Sequence, residues 1–131
     1  MKKKLRTLRI VFSNMFRDKL CLTANECEIS AYFFSVIGMC RTSIRYTKCG
    51  LLTIDTTSDI KASLYMSVAV SLLRLRKPDS AERYFETACL LLRQQEISDT
   101  LTIHNARKNK ERYDKITAQL DSTKENSVSE H

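Results

Sequence analysis

At 131 residues the chain is one domain at most, and with 2 Gly and 1 Pro it has too few turn-formers for an all-β fold. The net charge of +7 is lopsided. Lys2, Lys3, Lys4, Arg6, Arg9, Arg17 and Lys19 face only Asp18 at the start, while the rest is almost neutral. This excludes a nucleic-acid-binding body and confines any membrane contact to the basic start.

Residues 5–22 carry Leu5, Leu8, Phe12, Met15, Phe16 and Leu20 at helical spacing, so a first helix is expected there. Thr23–Glu26 then reads as a loop. A second helix is expected over Ile29–Arg41, apolar on most sides and so packed on two faces. A third follows over Ser43–Ile54. Residues 55–59 (DTTSD) form a polar break rich in helix-capping residues. A fourth helix spans Ile60–Leu75. Pro78 disfavours helix at Lys77 and opens a fifth over Asp79–Gln94, with Ala81, Phe85, Ala88 and Leu92 on one face. Ser98 or Asp99 caps a last helix running to Leu120, which buries Leu101, Ile103, Tyr113, Ile116 and Leu120. Residues 121–131 read as a disordered polar tail.

Helix pairs with tight turns call for a test of internal periodicity. Taking Ala62 as the first position of a tetratricopeptide unit, Tyr65 is the bulky residue and Val68-Ala69 replace Leu-Gly. Leu72, Ala81, Phe85 and Ala88 follow in order, with Pro78 at the turn. The small residues let two helices approach, and the large ones fill the groove between pairs. A preceding unit starting at Ala31 puts Phe34, Ile37 and Gly38 at the bulky, Leu and Gly positions. Its second helix is trimmed, with Ser43 and Gly50 as the small residues. The expected fold is therefore all-α. It is one tetratricopeptide-like solenoid domain over 1–120, with units at 31–61 and 62–95 and a capping helix over 98–120.

The segment YFFSVIGMCR (32–41) resembles the aromatic-rich central repeat of the class II translocator chaperones of type III secretion. MFRDKLCL (15–22) is similar to the Phe- and Leu-Cys-containing segment that precedes it in that family. LLRLRKPDSAERYFETACLLL (72–92) looks like the last repeat. The resemblance covers roughly residues 8–120 and implies a member shortened at its N-terminus and in its central repeat. It implies a concave groove that holds an extended segment of a hydrophobic translocator protein in the bacterial cytoplasm until secretion. The groove-facing positions it assigns are Tyr32, Ser35, Met39 and Thr42 in one unit and Ser63, Met66, Val70 and Leu73 in the next. This largely apolar set suits capture of apolar side chains. The same stripes would equally serve a neighbouring helix or a homodimer contact.

Chemistry is poorly represented. There is no phosphate-binding loop, no acid/base pair and no nucleophile with an activating partner, so no enzyme and no cofactor are expected. Cys21, Cys27, Cys40, Cys49 and Cys89 form no CxxC, and His104 and His131 lie far from them. Free thiols used as small apolar fillers are expected, and no metal site. His104 reads as solvated. The alternative function is an adaptor attached to a membrane surface, or targeted to an organelle, by a basic amphipathic segment over 1–19.

Overall fold

The computed structural model describes residues 22–95 and 100–129. These form five helices: α1 (Ala24–Val36), α2 (Cys40–Leu51), α3 (Ser58–Arg74), α4 (Pro78–Arg93) and α5 (Leu101–Ser129). The described residues contain no strand. The chain is all-α. The expected first helix over 5–22 and the basic segment lie outside the described residues, except for Leu22.

Two helix pairs make up the body. α1 pairs with α2, and α3 pairs with α4; α3 packs on both helices of the first pair, so the pairs stack. α5 lies chiefly along α3, reaches α1, and touches α4 more lightly. The core sits around α3, which buries residues on nearly every side.

α1 begins earlier than its apolar pattern implies. The segment expected as a loop is a capping box: the Glu26 N–H donates to Thr23 Oγ1 at 3.2 Å, and the Thr23 N–H donates to Glu26 Oε1 at 3.2 Å. Asp55, from the α2–α3 connection, accepts the orphan N–H of Ala24 at 3.3 Å and ties that loop to the start of α1. These three satisfied donors favour helix from Ala24 onward.

α1 also ends earlier, at Val36, and Gly38 explains why. Gly38 has φ +86°, and the Met39 N–H donates back to the Phe34 carbonyl at 2.9 Å, the 6→1 bond of a Schellman ending. Gly38 was expected inside a helix at a helix–helix contact. It is instead an exposed turn residue, and a Cβ built on it would meet nothing within 4 Å. Its requirement is conformational, not steric. Gly38→Ala should cost about 1 kcal/mol for the left-handed backbone, and Gly38→Leu should cost no more. Chemical denaturation of the two variants checks this; a much larger loss for Leu would restore a packing role.

The ending of α1 sets the repeat length. Arg76 has φ +63°, and the Lys77 N–H donates to the Leu72 carbonyl at 2.9 Å, repeating the turn at Gly38. Gly38 and Arg76 are 38 positions apart (76 minus 38). The same offset relates the buried small residues Ala24 and Ala62, Ala31 and Ala69, Ser43 and Ala81, and Gly50 and Ala88. The expected spacing of 31 is corrected accordingly. Ala31 occupies the place of Ala69, not of Ala62. Ser43 and Gly50 keep their expected role as the small residues of α2.

Gly50 sits where α2 approaches α1 and α3 closely. An added Cβ would lie 2.9 Å from Cys27 Cβ and 3.0 Å from Leu64 Cδ1. Cys27, Cys40, Cys49 and Cys89 are free thiols. Burial, then the adjacent Cys49, pushes the Cys27 thiol up to about 12, which makes it a packing group with little thiolate.

α5 differs from expectation at both ends. Thr100 caps it, accepting from the Ile103 N–H through its Oγ1 at 3.2 Å; Ser98 and Asp99 lie outside the described residues. The helix continues past Leu120 to Ser129, through the segment expected as a disordered tail. No Gly or Pro interrupts residues 101–129, so a helix seated on the body propagates at low cost.

Candidate protein-binding groove

Side by side, α1 and α3 present one continuous face, and α5 lies on it. The 38-residue offset identifies the matching positions. Ser63, Met66, Val70 and Leu73 on α3 correspond to Asn25, Glu28, Tyr32 and Ser35 on α1. Tyr32 and Ser35 lie on this face of α1. Met39 and Thr42 do not: α1 stops at Val36, so Met39 is an exposed turn residue preceding α2 and Thr42 lies in the first turn of α2.

The α3 positions are buried beneath α5. Met66 shares a cluster with Ile103 and Ala106. Val70 and Leu73 share one with Tyr113, with Ile116 packed against it. The Tyr113 ring stacks on Phe85 of α4 at 3.9 Å between centroids, which fixes the rotation of α5 against the second pair. The seated stripe of α5 is thus Ile103, Ala106, Asn109, Tyr113 and Ile116, at three- and four-residue spacing. Leu101 and Leu120, expected within it, are exposed.

The middle of the contact is polar. Glu28 is only 1% exposed, and its Oε1 accepts from Ser63 Oγ at 2.6 Å and from Asn105 Nδ2 at 3.2 Å. Asn109, fully buried, donates from Nδ2 to Ser35 Oγ at 2.9 Å and to Ser67 Oγ at 3.1 Å. Arg112 donates to Asn109 Oδ1 at 3.1 Å and to the Tyr32 hydroxyl at 3.3 Å, and lies over the Tyr32 ring. Arg74 donates to the Ser35 carbonyl. Helices α1, α3 and α5 therefore meet through a connected hydrogen-bond network flanked by apolar clusters.

Glu28 is the electrostatic centre of this seam. Burial raises its carboxyl from the ordinary 4.5 to about 7; the bonds from Ser63 and Asn105 pull it down, and Asp59 adds to the rise. Among the described residues no ion pair involves it.

Sequence reasoning missed Glu28, Ser67, Asn105, Asn109 and Arg112. A signal was available for the two asparagines. They stand four residues apart, on one helix face, in line with Ile103, Ala106 and Tyr113.

Among the described residues, no three His, Cys, Asp or Glu side chains gather where they could hold a metal ion, and no helix is long and apolar enough to cross a membrane. Comparisons with protein families, characterised proteins and solved structures give no match.

Proposed function

We propose that this chain is a non-enzymatic, helical-repeat protein that binds other proteins on the face shared by α1 and α3. The observation carrying this reading is the seating of α5: that face accommodates a long peptide segment through paired apolar clusters and a matched polar network. The 38-residue repetition of small buried residues supports a tetratricopeptide-like stacking of helix pairs, an architecture that builds such faces. The resemblance to class II translocator chaperones supplies the client class, hydrophobic translocator proteins of type III secretion, and a bacterial cytoplasmic setting. In this reading α5 covers the groove in the absence of a client, and a client displaces it.

Co-expression with a hydrophobic translocator tests the proposal. The expected result is a soluble complex, at least tenfold depleted by Met66→Glu, which puts a charge into the apolar part of the groove. Leu52→Glu, at an exposed site, should leave the complex intact. Circular dichroism checks that both variants remain helical. Equal recovery with Met66→Glu would overturn the groove assignment. Failure to recover any client, together with sedimentation on anionic vesicles that is lost when Lys2, Lys3, Lys4, Arg6 and Arg9 are neutralised, would favour the membrane-surface adaptor instead.

A further inference from the structure

The groove's inner surface constrains what it can hold. Glu28, Ser35, Ser63 and Ser67 are all buried there. Glu28 already takes the Ser63 hydroxyl, and its remaining donor comes from the occupant. Ser35 donates its own hydroxyl to the Tyr32 carbonyl at 2.7 Å, so towards the occupant its oxygen can only accept. The surface therefore asks for N–H donors at two places along its length. An extended apolar segment would face the buried carboxyl and serines with backbone N–H groups alone, two residues apart on one side, and would bring no side-chain amide. A helix supplies both donors if it carries side-chain amides four residues apart, because those residues share a face and are separated by one turn. Asn105 and Asn109 do so, with Ile103 and Ala106 on one flank and Tyr113 on the other.

We infer that the groove selects an amphipathic helix bearing a pair of amides four residues apart, and that α5 is the chain's own copy of that ligand, in competition with a partner helix. The inference rests on the protein-binding reading above and replaces its extended client with a helical one.

Three synthetic peptides test it against the full chain. One is the wild-type sequence Thr100–Thr123. The second carries Asn105→Leu and Asn109→Leu. The third is an apolar peptide of equal length with prolines that prevent helix formation. The receptors are the wild-type chain and a full-length Asn109→Ala variant, in which α5 loses two of the bonds that hold it. The wild-type peptide should bind Asn109→Ala at least tenfold more tightly than it binds the wild-type chain. It should also bind that variant at least tenfold more tightly than the Leu-substituted peptide does. If Asn109→Ala misfolds, the wild-type chain serves alone: excess wild-type peptide should speed amide hydrogen exchange over residues 101–117, and the other two peptides should not. Equal or tighter binding of the Leu-substituted peptide would overturn the selection of amides. Binding of the proline-containing peptide alone would overturn the helical ligand and leave the protein-binding reading standing. Absence of any peptide binding, with a translocator still captured on co-expression, would overturn the inference alone. Absence of both would end both.

Discussion

Gly50→Leu should cost about 3 kcal/mol or prevent folding, and Gly50→Ala should still be destabilising by about 1 kcal/mol. Alanine is the better helix former by about 1 kcal/mol, and Gly50 lies within α2, so propensity alone forecasts a gain. Packing reverses the sign. The new Cβ would sit 2.9 Å from Cys27 Cβ, an atom bonded directly to the backbone of α1, and 3.0 Å from Leu64 Cδ1. Leu64 can rotate its methyl away, whereas Cys27 yields only if α1 moves off α2. The Gly50 carbonyl is fixed as well, accepting from the hydroxyls of Thr53 at 2.7 Å and Thr56 at 2.6 Å. Urea denaturation of the wild type and both variants gives the measurement. A more stable Gly50→Ala would show that the first helix pair is packed less closely than described.

The second large effect is a pH dependence centred on Glu28. Its carboxyl titrates near 7 in the folded chain and near 4.5 when exposed. Between those values the native state holds a proton that the unfolded state has released. Stability should therefore fall as pH rises from about 4.5 to about 7 and change little above that on this account. The shift sets an upper limit of ~3 kcal/mol on the loss. Glu28→Gln keeps an oxygen to accept from Ser63 and Asn105 and removes the charge, so it should flatten this part of the profile and be more stable than wild type at pH 8. Unfolding free energies at pH 5 and pH 8 for both proteins decide it. A pH 5-to-8 difference that is the same in Glu28→Gln as in wild type would locate the dependence elsewhere.

The helices of the second pair were legible because strong local chemistry agreed with the apolar spacing: Pro78 opens α4, and the polar break at 55–59 precedes α3. The first pair departs from its apolar spacing because its boundaries are set by polar and conformational residues. Thr23 and Glu26 begin α1 through a capping box, and Gly38 ends it through a positive φ. With α1 displaced, Met39 and Thr42 were assigned to a helix they do not belong to, and the offset of 38 was obscured. The α3 side of the candidate face was readable, since Ser63, Met66, Val70 and Leu73 share one stripe of a single buried helix. The polar seam was not. Burial of Glu28 and Asn109 comes from the meeting of three helices distant in sequence, and local pattern does not distinguish a solvated amide from one that is enclosed.

The length of α5 adds a geometric consequence. Its partner α3 spans 17 residues, roughly 25 Å, whereas α5 spans 29, roughly 43 Å. The seated portion closes at Ile116 and Thr117, and every side chain from Ala118 to Thr123 is exposed. The remaining turns, from Thr117 to Ser129, reach on the order of 18 Å further along the helix axis. A cargo or probe attached at the carboxyl end is thus carried on a mast, clear of the face shared by α1 and α3. One helix also joins two mechanical regimes, a clamped root and a cantilevered tip. Leverage applied at the tip acts first on Ile116 and the Tyr113–Phe85 stack beside it, before it reaches the amide pair.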